Sequence, residues 1–311
     1  MEFRTSGMRE GNHMKNRAVT GLLLVCMLMT ALFFGGCGKS GSSGGFNVIV
    51  MGHIGHGKSE LTSAIASAYG KKVSVDQLNS AKECKSDGVV YHAECVSIKS
   101  DSRNYNIYDL PDYKDIGKSI ASKGIVPDGV ILVVNFNDSI MPQTAEHIKL
   151  IKSLGIKNVV VYITNCSDSE LAGLLIEDIN AWDFEKTDII TDYDNFSAEN
   201  AKKTVSVMDK WTAENNAAKE VSGTSVNVYS YALSKDEGGS NTPVMSSDEL
   251  EITINNKTYK GTLVFPGVDM MMPGDFGQIA FDLDASVSAK AGDKVTVKKD
   301  GKDVIVGVVV G

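Results

Sequence analysis

Eight consecutive residues, Gly52-His53-Ile54-Gly55-His56-Gly57-Lys58-Ser59, have the spacing GxxxxGK[ST]. Glycines at these places let successive backbone N–H groups turn inward around a phosphate, the lysine amine neutralises it, and the serine hydroxyl can ligate a divalent cation. The β-branched run FNVIVM precedes the octet, and SELTSAIASAYG, with helical spacing, follows it. The expected chemistry is phosphate capture at a strand-to-helix turn by Gly52, His53, Gly55, His56, Gly57, Lys58, Ser59 and Glu60. His53 and His56 have no thiol or carboxylate at metal-ligand spacing, and two histidines on a turn are seldom ligands by themselves.

Such a loop works only where a sheet and a helix hold its two ends. The sequence supplies further β-branched runs, YNIYDL, GVILVVNF, NVVVYIT and DIIT, together with the helical stretches TAEHIKLIKSLG, SELAGLLIEDINAW and SAENAKKTVSVMDKW. Strands alternating with helices imply crossover connections and a mostly parallel sheet with helices on both faces. This α/β domain is expected over residues 46–216, with a short polar linker at 217–225. From 226 to 311 the pattern changes to VNVYSYALS, ELEITINN, KTYKGTLVF, FGQIAFDLDA, DKVTVKKDG and KDVIVGVVV, separated by Gly, Asn and Pro turns. Short strands in series without a helix predict a small antiparallel barrel or sandwich.

A chain of 311 residues, 42% of them hydrophobic, has room for two domains with their own cores. Its 31 Lys and Arg against 39 Asp and Glu give a net charge of -8, which disfavours a nucleic-acid partner because phosphate neutralisation supplies most of such affinity. Cys26, Cys37, Cys84, Cys95 and Cys166 form no CxxC pair and lie at no zinc-ligand spacing. Cys84 and Cys95 can form a disulfide only if their Cα atoms lie within about 7 Å.

Residues 1–13 read as an extension, and 14–36 as a leader: Lys15 and Arg17, then the apolar run AVTGLLLVCMLMTALFF, then Gly35 and Gly36. Cys37 directly after these small residues resembles a bacterial lipidation site, in which the acylated cysteine becomes the new N-terminus. The alternative is an uncleaved anchor, since the run is near the lower length limit of a spanning helix. Either reading places the protein at the cell membrane, lipid-anchored on the exported face in the first case. The Gly/Ser-rich residues 37–45 have the composition of a flexible spacer.

Several of these segments resemble the translation elongation factor Tu family. NVIVMGHIGHGKSELTSAI resembles its first strand, phosphate loop and helix; YNIYDLPDY resembles the strand with its magnesium-region aspartate; DGVILVVNFNDSIMPQTAEHIKLIKSLGIKNVVVYITN resembles its central strands. YALSKDEGGSNTPV and FPGVDMMMPGD resemble its C-terminal barrel. The resemblance implies a G domain that binds GTP or GDP with magnesium, the metal held near Ser59 and Asp109. It also implies guanine recognition by Asn165 and Asp168 of Asn165-Cys166-Ser167-Asp168, and by Ser197 and Ala198.

The departures from the family are as informative as the matches. Gly55 replaces an aspartate in the loop, Asp112 replaces the glycine that meets the γ-phosphate, and Tyr113 stands where the water-orienting histidine would be. Val90 falls at a magnesium-ligating threonine and Cys166 at the lysine that covers the base. No catalytic residue is therefore assigned, hydrolysis is expected to be slow, and GDP and GTP are expected to bind alike. The family's second barrel is missing, and the acidic MSSDELEITI occupies a place where the family is basic, which opposes tRNA delivery. Two other functions compete: a surface interaction or adhesion lipoprotein with the G domain as scaffold, and a genuine elongation GTPase. No protein partner is indicated.

Overall fold

A computed structural model of the protein describes residues 45–111, 113–124, 127–184, 186–212, 220–264 and 269–310. The expected leader, Cys37, nearly all of the spacer, Asp112 and the first part of the linker lie outside these residues. The described residues fall in one compact unit, Ser43–Gly311.

The first half runs β1 (Phe46–Gly52), α1 (Lys58–Ala68), α2 (Val75–Asn79), β2 (Lys82–Ser86), β3 (Val89–Lys99), β4 (Asn104–Asp109), α3 (Tyr113–Lys123), β5 (Gly129–Asn135), α4 (Pro142–Ser153), β6 (Asn158–Thr164), α5 (Ser169–Asn180), β7 (Lys186–Thr191) and α6 (Ala198–Met208). Among the described residues these strands form one seven-stranded sheet in the order β2-β3-β4-β1-β5-β6-β7. The five strands from β4 to β7 are parallel, and β3 and β2 extend the sheet antiparallel. Strands β1, β5 and β6 are buried almost end to end, as continuous apolar strands covered by helices on both faces must be. One face packs Val48, Val50 and Ile107 against Leu61, Ile65 and Val205. The other packs Ile49, Met51 and Leu132 with Ile116, Ile120 and Ile151.

The β2–β3 hairpin was not marked by an apolar alternation: its first strand is the polar KECKS. Its turn, Asp87 (φ 50°) and Gly88 (φ 82°), has the two left-handed residues that match the twist of a tight hairpin. Cys84 lies opposite Tyr91, and Cys95 is four positions further along β3, about 13 Å at strand rise. That separation excludes a Cys84–Cys95 disulfide, and the three described cysteines are free.

The second half contains β8 (Glu220–Ala232), β9 (Val244–Met245), β10 (Leu250–Ile254), β11 (Lys257–Val264), β12 (Met270–Met271), β13 (Phe276–Lys290), β14 (Lys294–Lys299) and β15 (Lys302–Val309). Six of them close a barrel in the order β10-β11-β13-β8-β15-β14, so of barrel and sandwich the barrel is realised. Strand β8 begins inside the expected linker, its residues from Glu220 to Ser225 pairing with β13.

Helix α3 joins the halves. Its Ile116, Ile120 and Ala121 share one apolar cluster with barrel residues Tyr229, Tyr231, Leu233, Val306 and Val308. Gly117 lies so close to Phe276 that an added Cβ would overlap the ring. Lys118 Nζ, 3.0 Å from Glu237 Oε1, also donates to the Val90 carbonyl at 3.1 Å. Burial opposes ionisation of Glu237, but hydrogen bonds from Ser234, Tyr231 and Lys118 outweigh it and hold this carboxyl below the usual range. No helix among the described residues is long and apolar enough to cross a membrane.

Candidate functional site

The phosphate loop leaves the C-terminal end of β1 in the middle of the sheet, where parallel strands and the following helix converge on a ligand. Gly52 has φ 150° and abuts the Val133 carbonyl of β5, leaving no room for a side chain; Gly57 has φ 96°. Lys58 Nζ reaches back over the loop to the carbonyls of Gly52 at 3.0 Å and His53 at 3.2 Å. The turn is thereby held in a wrapped form, with the N-terminal turn of α1 facing a cavity of about 340 Å³. Ile54, Gly55, Gly57, Lys58, Ser59, Glu60 and Asp109 line it, with Leu78 and Asn79 of α2 closing one side.

The His56 side chain is a pin beneath this loop. It is 1% exposed, its Nδ1 accepts from Asn135 N–H at 3.2 Å, and its Nε2 is 3.4 Å from Asp138 Oδ2. Thr164 Oγ1 donates to its carbonyl at 3.0 Å, so the loop is fastened to the ends of β5 and β6. Burial, with the charges of His53 and Lys58, pulls the imidazole below its ordinary value despite a hydrogen bond to the Val133 backbone and the charge of Asp138. Because the folded state favours the neutral ring, this contribution is fully present above about pH 6.5 and is lost as pH falls through the lowered folded value. Thermal unfolding should therefore show the midpoint falling by a few degrees as pH drops below about 6.5. His56→Gln should flatten that part of the profile; the same slope in the variant would assign it to other groups.

Asp109 ends β4 beside β1, in register with Val50. It is 2% exposed and bonded to the Ser59 hydroxyl, and burial raises its carboxyl while Ser59 and Lys58 oppose that shift. Among the described residues its Oδ2 has no hydrogen-bond partner. A raised folded value means that the ionised carboxylate is a cost to the fold at neutral pH, which a divalent cation would offset. The Ser59–Asp109 pair thus fits a magnesium site completed by phosphate oxygens and water. Asp109→Asn should raise the melting temperature without ligand and cancel any further rise on adding magnesium with nucleotide. An unchanged magnesium response in the variant would separate Asp109 from the metal.

The base end is less complete. Asn165, at φ 57°, is exposed where β6 ends, and Asp168 is exposed as the N-cap of α5, with Oδ1 accepting from Glu170 N at 2.8 Å and Leu171 N at 3.0 Å. One Asp168 oxygen is spent on the helix and the other is left to meet a base. Cys166 is buried with its Sγ toward the Ile163 carbonyl, so it offers no cover. Ser197 caps α6 by accepting from Asn200 N at 3.2 Å, and Ala198 opens that helix.

Three features here were not anticipated from sequence. The Phe196 ring occupies the space over Gly57, where an added Cβ would overlap it, and stacks on Tyr162 with centroids 6.2 Å apart. Buried Asp192 builds the turn that carries it, accepting from Phe196 N at 2.6 Å and Asn200 Nδ2 at 2.8 Å. Leu78 and Asn79 reach the phosphate cavity from a five-residue helix too short to show a period. Only the turn signal DYDN could have suggested the Asp192 turn.

Tyr113 is turned away from the loop. Its ring packs edge-on against His147 at 5.1 Å and against the barrel's Phe276 at 5.0 Å, and it lines a groove with Met270, Pro273 and Phe276 rather than the phosphate cavity. Val90 sits four residues before Glu94, the partner of Asp109, about 13 Å away along β3.

A wrapped glycine-rich turn, a lysine lying over it and a serine–aspartate pair beside it, all on a central parallel strand, define a phosphate-loop nucleotide-binding domain. Residues 45–208 match the family described as the Elongation factor Tu GTP binding domain. That is more than half of the chain, which belongs to this family of translational GTPases and is a GTP-binding protein.

Proposed function

We propose that the protein is a membrane-tethered guanine-nucleotide-binding protein that keeps the phosphate site and has lost fast hydrolysis and nucleotide-state sensing. The observation that carries this reading is the contrast between an intact cradle at Gly57, Lys58, Ser59 and Asp109 and a Tyr113 packed into the barrel groove. Magnesium, when bound, would supply charge neutralisation at the phosphate beside Ser59 and Asp109. Lys58 would hold the phosphates, and the backbone amides from Gly55 to Glu60 would line them.

Position supports the loss of hydrolysis. A group that orients water must reach the reacting phosphate within hydrogen-bond distance, whereas Tyr113 lines a different cavity. Burial and Glu146 also push its phenol up, away from acid–base work near neutral pH. The tether reading rests on the leader pattern of residues 14–36 and on Cys37. Delivery of tRNA is opposed by the acidic composition and the absence of a second-barrel sequence between α6 and β8. The scaffold alternative draws support from the base end, where Cys166 is buried and Asp168 is partly committed to its helix.

The test is calorimetric titration of residues 38–311 with GDP and with a non-hydrolysable GTP analogue, both with magnesium. The expected result is saturable binding of both with affinities within a few fold, because the family's γ-phosphate contacts are replaced at Asp112 and Tyr113; a ligand that binds two states equally then shifts neither. Binding of neither would leave the scaffold alternative, and ribosome-stimulated GTP hydrolysis would restore a working elongation GTPase.

A further inference from the structure

At the opposite end of β1 from the phosphate loop, about 20 Å away at strand rise, the chain enters the sheet through Gly45. Around that point is a second cavity, of about 320 Å³, lined by Gly45, Lys71, Ser97, Lys99, Asn104 and Asn106 among others. Lys71, Lys99 and Asn104 are exposed, and Lys72 beside them is exposed too. The Asn106 amide is fixed in place, its Oδ1 accepting from Ser97 Oγ at 3.0 Å and its Nδ2 donating to Asn47 Oδ1 at 3.2 Å. Among the described residues no carboxylate lines the cavity, although the chain as a whole carries a charge of -8. Three acids lie nearby without lining it: Asp209 accepts from the hydroxyls of Ser100 at 2.6 Å and Tyr105 at 2.8 Å, Asp128 accepts from Asn47 N at 2.7 Å, and Asp101, exposed on the β3–β4 turn, acts on the Tyr69 phenol.

Only seven residues lie between Cys37 and Gly45, and the eight steps span at most about 29 Å fully extended and about 16 Å as a flexible coil. Any lipid on Cys37 therefore keeps this end of the domain within about 29 Å of the bilayer. An ammonium group within a Debye length, about 8 Å, of an anionic leaflet is attracted to it.

We propose that this cavity is a docking site for the phosphate headgroup of an anionic phospholipid, with Lys71 and Lys99 as its cations and the Asn104 amide as its neutral donor. The proposal rests on the membrane-tether reading and gives it an orientation. The Gly45 end faces the bilayer, and the phosphate loop, at the other end of the same strand, opens away from it.

The test uses residues 38–311, which contain the whole compact folded unit and lack the anchor, in co-sedimentation with vesicles of phosphatidylcholine alone or mixed with phosphatidylglycerol. Binding is expected only to the phosphatidylglycerol vesicles, and it should weaken as sodium chloride rises. Each lysine near an anionic surface is worth about fivefold in partitioning. Lys71→Glu with Lys99→Glu should therefore reduce binding by on the order of 25-fold or more, at an unchanged melting temperature. Charge reversal at the exposed barrel lysines, Lys290→Glu with Lys302→Glu, should leave binding intact. Equal loss in both pairs would overturn the site in favour of a net-charge effect, and so would binding that ignores lipid charge. Release of bound protein by dilute inorganic phosphate at constant ionic strength would overturn it in favour of a free-phosphate site. Flotation of the full chain with phosphatidylcholine vesicles tests the tether separately, because a neutral bilayer reports the anchor and not the lysines.

Discussion

Lys58→Met should lower the affinity for GDP and for a GTP analogue by on the order of a hundredfold, while lowering the melting temperature by only several degrees. The lysine is 9% exposed, and its ammonium lies over the loop against the carbonyls of Gly52 and His53. Hydrogen bonds to a charged partner contribute about 1.5–3 kcal/mol each, so losing the amine from a phosphate costs at least one such contact and the Coulomb attraction with it. Methionine keeps most of the apolar stem, and the folds on both sides of β1 are held by clusters that do not include the amine. Titration calorimetry reads the affinity and a thermal melt reads the fold. Undiminished nucleotide binding in the variant would remove the phosphate loop from the site; a collapse of the melt instead would mean that the lysine serves structure.

The second large effect is expected at the junction of the two halves. Gly117→Val should destabilise the protein by about 3 kcal/mol, because overpacking a filled core costs about 1–3 kcal/mol and the added branch would meet the Phe276 ring directly. The damage should spread beyond one contact. The Phe276 ring also packs on Tyr113, and Lys118, the next residue of α3, pairs with Glu237, whose side chain is 8% exposed. Leaving one member of a buried ion pair unpaired is strongly destabilising. Phe276→Ala should cost about 2–3 kcal/mol alone, below the range for a fully buried ring because Phe276 is half-buried, yet the double variant should be less unstable than the sum, since the alanine vacates the space that the valine needs. Strict additivity in urea unfolding would show that the two side chains do not meet. Unfolding of the wild type in two separate steps would show that the shared cluster does not couple barrel and G domain.

Parts of this were legible without coordinates. The parallel sheet followed from alternating β-branched and helical runs, and the barrel from six short strands in series, because period and breaker residues are local signals. The glycine-rich turn was legible for the same reason: Gly52, Gly57, Lys58 and Ser59 fall within eight residues between a β-branched run and a helical one, the context in which that spacing points to phosphate. The resemblance to elongation factor Tu rested on contiguous segments of this kind, and the family match covers the G domain.

What lay beyond the sequence depends on segments far apart in the chain. The strand KECKS has no apolar period and pairs only because β3 presents an edge. Phe196 meets Gly57 across 139 positions of sequence, and Tyr113 turns from the phosphate end toward Phe276 because the barrel offers it an aromatic surface. The sequence by itself determined where the glycine-rich strand-to-helix turn lies. The tertiary structure decided which of the remaining side chains face that turn, because side-chain direction here is set by packing between the sheet, α3 and the barrel, and no local spacing encodes it.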